Sequence, residues 1–353
     1  MTGVQTCAFR SGVLTRGNLL HSSDEIIPHF QRITDKVKEA GAVICQQLYH
    51  VGAHGDSDLS FAPHWSPSGA PSYHDSDGSH RMTESEIQEL LDAHLAAAIR
   101  AKKSGFQGVE VWAAYHSLLD QFWTPWSNTR DDKWGGSLEN RTRFSRTLIE
   151  NIRRACGEDF IVGLAISYSP GYSVTLSAEN LCEIIDLHDT TGHIDYVTCG
   201  YGSYLEFDGI IPAFTHAEKL STPLTAQLKS IVKHAVITSE ASVRTPENAE
   251  TILSSGEADL VSIVRGQIAD PHLARKTMIG WGYKLQRLGN DVLRKFAKQQ
   301  TAHPPATVGK PSVKEQVIFF VNKKMPGNLP KKTARALLDI EDANYVPIIR
   351  DPK

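Results

Sequence analysis

The sequence predicts an α/β fold of the TIM, or (β/α)8, barrel type, lacking its first two βα units and carrying a C-terminal extension. Two observations carry this. A short apolar, β-branched run, a loop and a segment of helical period recur in that order from Ser23 to Gly280, which is the pattern of βα units in a parallel sheet. Helix-start signals then punctuate the segments between the runs.

Taken in order, the runs fall at 42–48, 108–113, 160–167, 194–200, 234–239 and 259–265, six in all. The helix after the first run is the best defined. Thr83 and Glu86 have the spacing of a capping box, and Ile87, Leu90, Leu91, Leu95 and Ile99 line one face. Ser177 before Ala178-Glu179, and Thr245 before Pro246, mark later helix starts. Six units are two short of a closed barrel and would leave strand edges unpaired, so the missing pair belongs before residue 23. The first 20 residues are too few for two units, and 1–7 resembles translated adapter sequence. Residues 1–22 are therefore expected to be a non-native or truncated N-terminal segment, and 23–280 the barrel, strands three to eight. Residues 281–353 are Lys-rich and Pro-punctuated, with an apolar run at 317–321 and a helical stretch near 332–338, and form an extension whose role is unreadable.

Composition narrows the class of partner. The chain has 353 residues, 41% hydrophobic and 22% charged, enough to bury a large core. Its formal net charge of -3 gives no excess of positive charge for nucleic acid or an anionic membrane, so a small-molecule partner is expected. The five cysteines, Cys7, Cys45, Cys156, Cys182 and Cys199, are scattered without a CxxC pair, which argues against a zinc site or disulfide framework and for a reducing, cytoplasmic compartment. No apolar run approaches a membrane span and no secretory pattern opens the chain. No metal ligand set is expected, and the sequence leaves open whether the chain forms a homo-oligomer.

The most specific segment is GFQGVEVWAAYHSLLDQFWTPWSNTRDDKWGGSLENRTRF, residues 105–144. It resembles the fourth strand and following loop of the Old Yellow Enzyme superfamily of FMN-dependent NADH:flavin oxidoreductases, whose pattern is GVE-[IVL]-H-A-A-H-G-Y-L-[LI]-x-Q-F and then N-x-R-x-D-x-[YFW]-G-G-S-x-E-N-R. QLYHVG at 47–52 is similar to the third-strand motif, and DLVSIVRGQIADP at 259–271 to the eighth strand and its flavin-phosphate loop. The resemblance covers residues 18–276. It implies FMN in the barrel mouth, with the Gln47 amide on the flavin pyrimidine edge and Arg265 and Gly266 at its phosphate. For Arg265 the competing reading is an arginine capping the strand end in solvent. The Gly135-Gly136-Ser137 and Glu139-Asn140-Arg141 cluster is expected to shape its loop rather than meet substrate.

Several positions depart from that pattern. Trp112 and Tyr115 fall where ene reductases hold a histidine pair for the substrate carbonyl, Ser117 where they keep a proton-donating tyrosine, and His116 where they have glycine. These changes resemble the amine-oxidising branch, that of trimethylamine dehydrogenase and the demethylases of N-methylated glycine and proline, in which an aromatic replaces the first histidine. Aromatic faces attract methylated ammonium groups. Tyr49, Trp112, Tyr115 and Tyr201 are the expected substrate-binding residues, with Trp123 and Tyr204 as further candidates, although aromatics are common in any barrel. The implied chemistry is hydride transfer from an N-methyl carbon to flavin, giving an iminium that water hydrolyses to formaldehyde. Tyr115, His116, Trp112 and His50 are the expected catalytic residues, and Tyr115, His116 or His50 would keep the amine neutral.

Further departures bear on the cofactor. Ala165 stands where the fifth strand commonly supplies an arginine to the flavin. Ala241 is a cofactor-lining position, in a loop where Glu240-Ala241-Ser242 replaces a glycine-containing sequence and would crowd or repel a phosphate. No cysteine follows Cys199, so the iron-sulfur motif is missing, and no GxGxxG fingerprint is present. An external electron acceptor is expected. The alternatives are an NAD(P)H-dependent ene reductase, of the 2-enoate or dienoyl-CoA type, and an inactive truncated fragment.

Overall fold

The computed structural model describes residues 2–7, 19–55, 63–72, 78–171, 174–212, 216–269 and 273–274, and of 2–7, 19–20 and 269 the backbone alone. The expected extension at 281–353 lies outside the described residues.

In chain order the strands are β1 (Thr2–Cys7), β2 (Leu19–Leu20), β3 (Ile44–Tyr49), β4 (His64–Ser66), β5 (Ser79–Arg81), β6 (Gly108–Ala113), β7 (Ile161–Tyr168), β8 (Tyr196–Tyr201), β9 (Val236–Ser239) and β10 (Leu260–Val261). Strands β4 and β5 form a small parallel ribbon between β3 and the next helix. The other eight make one sheet in the order β10-β9-β8-β7-β6-β3-β1-β2, every adjacent pair parallel. No pairing of β2 with β10 is present among the described residues, so the sheet is a partial barrel. The strand count is a correction to the six expected. Thr2–Cys7 pairs with β3 residue for residue, from Thr2 opposite Ile44 to Cys7 opposite Tyr49, and β2 pairs with the end of β1. A single six-residue run carries no βα period by itself, and its long-range pairing reveals it.

The last two strands are shorter than predicted for identifiable reasons. The N–H groups of Lys233, His234 and Ala235 donate to the Asp189 carboxylate instead of the ladder, so β9 starts only at Val236. After β10 the chain turns into helix at Arg265, where the sequence reading continues the strand.

The helices are α1 (Ile27–Glu39), α2 (Glu84–Lys103), α3 (Leu118–Trp123), α4 (Leu138–Cys156), α5 (Ala178–Asp189), α6 (Phe207–Ile210), α7 (Thr222–Ile231), α8 (Pro246–Ser254) and α9 (Arg265–Ala269). The predicted starts are present. Thr83 and Glu86 form the capping box of α2, Ser177 accepts from Asn180 N at α5, and Thr245 forms a capping box with Asn248 at α8.

Alternation along the strands divides the core in two. Val109, Val111, Val162, Leu164, Ile166, Val197 and Ile237 join Leu90, Leu91, Phe144, Leu148 and Ile184 in the layer between sheet and helices. Residues of opposite parity, among them Gln47, Glu110, Trp112, Ala165, Thr198 and Thr238, face the barrel interior. At the N-terminal ends of the strands a repeated device locks neighbours together. Gln107 Oε1 accepts from Ile44 N (3.2 Å), Asp195 Oδ2 from Val162 N (2.9 Å) and Asp259 Oδ2 from Ile237 N (2.9 Å). Arg153 and Lys229 neutralise the two carboxylates, each at 2.7 Å.

Candidate active site

At the opposite, C-terminal ends of the strands the chain behaves differently. After β6 both Tyr115 (φ 61°) and His116 (φ 62°) are left-handed, a conformation that costs an L-residue about 1–2 kcal/mol. A positive φ at His116 explains why the resembled pattern has glycine there. The strain is held by bonds to β7 and to the turn after β8: Tyr115 N donates to Ser167 Oγ (2.7 Å), and Tyr115 O accepts from Tyr204 N (3.0 Å).

This turn gathers four predicted aromatics. The Trp112 ring meets Tyr49 edge-on at 6.2 Å and Tyr115 at 5.2 Å, and Tyr115 meets Tyr204 at 6.4 Å. The Tyr49 and Tyr204 hydroxyls bond at 3.0 Å. Tyr49 and Tyr204 are buried, Trp112 and Tyr115 half-buried, and the Trp112 indole N–H is buried without an acceptor. Two predicted aromatics stand elsewhere. Tyr201 has the helix-facing parity of Val197 and Cys199 and packs on Tyr168 at 6.4 Å. Trp123 is fully buried in the helix layer, donating to Ser145 Oγ at 2.9 Å.

The predicted bases are placed as follows. Burial holds His50 well below its ordinary pKa, its Nδ1 accepts from Gly52 N, and its ring lies beside His94 in the helix layer. Burial pushes His116 down to about 4. The Ser127 hydroxyl donates to Gln121 O, so His116 Nε2 donates to Ser127 Oγ (3.0 Å) and His116 Nδ1 accepts from His54 Nε2 (2.8 Å). Both His116 nitrogens are engaged in holding the turn. Burial, and then the Glu240 charge, raises Tyr115 well above the ordinary phenol value, so it stays protonated. His54, absent from the predicted set, packs on Tyr204 at 5.2 Å. Only the third-strand motif, which ends just before it, draws attention to it in the sequence.

Below the rings lies a second group that the sequence reading did not assemble. Glu110 accepts from Gln47 Nε2 (2.6 Å) and from Thr198 Oγ1 (2.9 Å), and burial raises its pKa. Burial, reinforced by the Glu110 charge, pushes Glu240 up to about 7. The GVE motif and the acid replacing a glycine are the signals for these two.

The expected flavin-holding residues can be tested against this geometry. Gln47 faces the interior at the end of β3. In the loop after β9, Ala241 (φ 64°) and Ser242 (φ 61°) are left-handed, and the buried Ser242 hydroxyl lacks a partner. A buried orphan hydroxyl on that loop fits an anionic group, and Gln47 fits a heterocycle edge. Arg265 is exposed, donates to Pro212 O (2.7 Å), and lies on the same rim as Gly266. At Ala165 no cation is supplied. The residues present thus fit FMN, with the flavin's ring lacking a charged partner on β7. Among the described residues no group of three His, Cys, Asp or Glu could hold a metal, and no helix is long and apolar enough to cross a membrane.

The signature loop is structural in its contacts. Buried Arg130 donates to Pro67 O and Met82 O, Asn128 to Phe122 O and Trp134 O, and Arg141 to Trp123 O.

A parallel partial barrel with strained strand ends at one mouth is the frame of an enzyme whose site lies at the C-terminal ends of its strands. Residues 2–281 match the NADH:flavin oxidoreductase / NADH oxidase family, and the chain belongs to that family. It is 35% identical over 264 residues to the N,N-dimethylglycine/sarcosine dehydrogenase of Chromohalobacter salexigens, covering 72% of this chain and 37% of that protein. It is 33% identical to a probable N-methylproline demethylase of Rhizobium meliloti, covering 73% and 38%. The chain thus spans less than two fifths of either relative. Among solved structures, a 2-naphthoyl-CoA reductase complex superposes with a TM-score of 0.73 at 25% identity, covering 79% of this chain and 44% of that one.

Proposed function

We propose that this chain is an FMN-dependent oxidoreductase that oxidatively demethylates an N-methylated amine or amino acid, releasing formaldehyde. The observation that carries the reading is the cluster of Tyr49, Trp112, Tyr115 and Tyr204. Trp112 and Tyr115 occupy the two positions where an alkene reductase would need carbonyl-clamping donors, and an aromatic cluster there favours a methylated ammonium group instead, by about 0.5–2 kcal/mol for each ring face that meets it. The names of the two similar proteins, a dimethylglycine/sarcosine dehydrogenase and an N-methylproline demethylase, support the same class.

The residues divide the work. Gln47, Arg265, Gly266 and the Ala241-Ser242 loop would hold FMN, which when bound supplies a hydride acceptor for the N-methyl carbon. The aromatic cluster binds and orients the amine and keeps water from its methyl groups. The His54–His116–Ser127 chain fixes the turn that presents Tyr115. Electrons then leave to an external acceptor.

The test is direct. Full-length protein loaded with FMN is given N,N-dimethylglycine or N-methylproline and formaldehyde is assayed, in parallel with an activated enone and NADPH. Formaldehyde formation with an inert enone is the expected result. Enone reduction without formaldehyde would support the ene-reductase alternative, and protein that takes up no flavin and does neither is the inactive fragment.

A further inference from the structure

Resting on that reading of the aromatic site, we propose that Glu240 is its counter-ion and proton acceptor: it recognises the charge of a protonated N-methyl amine and removes the ammonium proton before oxidation. The geometry comes from Gly200. Cys199 pairs with Ser239, and Glu240 N donates to Cys199 O at 3.0 Å, so Glu240 stands beside Gly200 one step beyond the ladder. Both residues continue the interior parity of Thr198 and Thr238. Gly200 leaves the space that the Tyr115 phenol fills, since a Cβ there would lie 3.0 Å from the Tyr115 hydroxyl. The carboxylate therefore lies next to the rings.

Glu240 needs a partner. Its half-buried carboxyl has no side-chain hydrogen bond or ion pair among the described residues, and a partly desolvated carboxylate beside a second one is favoured by a cation. The groups that act on it or on its neighbour Tyr115 are Glu110 on β6, Tyr204 and Cys199, and none of them is a cation. Next to Thr198 in the ladder, the buried Thr238 hydroxyl also lacks a partner, so the interior holds a second polar group without a protein ligand. An ammonium ion meets the need of Glu240: the rings take its methyl groups and the carboxylate its charge. The proton step balances simply. The ammonium N–H proton moves to a Glu240 carboxylate oxygen, the nitrogen lone pair is freed, and a carboxylic acid and a neutral amine result without any change of oxidation state. That neutral amine is the form able to release hydride from carbon.

The test uses full-length FMN-loaded protein and Glu240→Gln at pH 8, with tetramethylammonium and the neutral tert-butanol as probes, followed by tryptophan fluorescence. Wild type should prefer the cation by about tenfold or more, and Glu240→Gln should lose that preference while binding the neutral probe unchanged, which also reports intact folding. With N,N-dimethylglycine, kcat/KM in wild type should fall below a pH near 7, and this limb should vanish in Glu240→Gln. A variant that keeps both the cation preference and the limb overturns the role of Glu240 while leaving demethylation standing. Wild type that shows no cation preference and forms no formaldehyde overturns the reading of the site as well.

Discussion

The two ends of the sheet are built to opposite rules. At the N-terminal ends, side chains just before β6, β8 and β10 each accept from a neighbouring strand's N–H, and the two carboxylates among them are neutralised by Arg153 and Lys229. Backbone strain stands at the other end, beside three buried polar atoms without partners. Four left-handed non-glycine residues, Tyr115, His116, Ala241 and Ser242, follow β6 and β9, and Trp112 Nε1, Thr238 Oγ1 and Ser242 Oγ are buried without partners. Backbone strain persists only where surrounding structure enforces it, and here it singles out the end that carries the candidate site. One end fixes the register of the sheet. The other is left incomplete for chemistry.

Breaking the satisfied end should have the largest effect. Arg153 is 3% exposed and, besides Asp195, donates to the carbonyls of His193, Gly157, Glu158 and Phe160. Asp195→Ala leaves a buried guanidinium without its counter-charge and Val162 N without its acceptor. The expected loss is about 3–5 kcal/mol in urea unfolding, with FMN binding per folded molecule unchanged. Asp195→Asn, which retains an acceptor, should lose less. If Asp195→Ala unfolds like wild type, the locks are ornamental and the contrast between the ends collapses.

A pH titration separates the helix layer from the mouth. His188 is buried in the helix layer, where it meets Ser145 Oγ at 2.9 Å and Ile184 O at 2.7 Å, and burial depresses it to about 4. The unfolded chain takes up its proton near pH 6.5 and the folded one only near 4, so between those values the unfolded state binds more protons and stability falls as pH falls. By pH 5 this group should cost the fold about 2 kcal/mol relative to pH 7. Glu240 has the opposite sign. Its folded pKa is raised, so its contribution to stability is present below the ordinary carboxylate value and is lost as pH rises through about 7. Glu240→Gln should therefore gain stability over wild type at pH 8 and match it at pH 4, while retaining the acid-side slope.

The helix layer was largely legible in sequence because its signals are local. Thr83, Glu86, Ser177 and Thr245 announce helix starts within four residues, and the buried face of α2 has helical period. Motif alone nominated Gln47, Trp112 and Tyr115 for the candidate site, and the fold brings the three to one mouth. What stayed hidden depends on pairing across the sheet. Nothing near Thr2–Cys7 states that it lies against β3, and nothing near Glu110 or Glu240 states that they share an interior. Tyr201 and Trp123 illustrate the same limit, since one residue of parity or one turn of helix decides whether an aromatic at a strand end enters the mouth or the core.

The smallest effect sharpens the contrast from the strained side. Ala241 sits at φ 64°, where glycine is at ease, and its carbonyl accepts from Leu220 N at 3.2 Å while its methyl has no bonding role. Ala241→Gly relieves about 1–2 kcal/mol of left-handed strain but returns about 0.4–1 kcal/mol as extra freedom of the unfolded chain. The expected net is a stabilisation of about 0.5–1 kcal/mol, read as an upward shift in the urea midpoint at unchanged slope. Because the change leaves Glu240, Ser242 and the rings in place, cation preference at the aromatic site should not move. A destabilised Ala241→Gly would mean that this turn is not strained, and that glycine would serve a different purpose there.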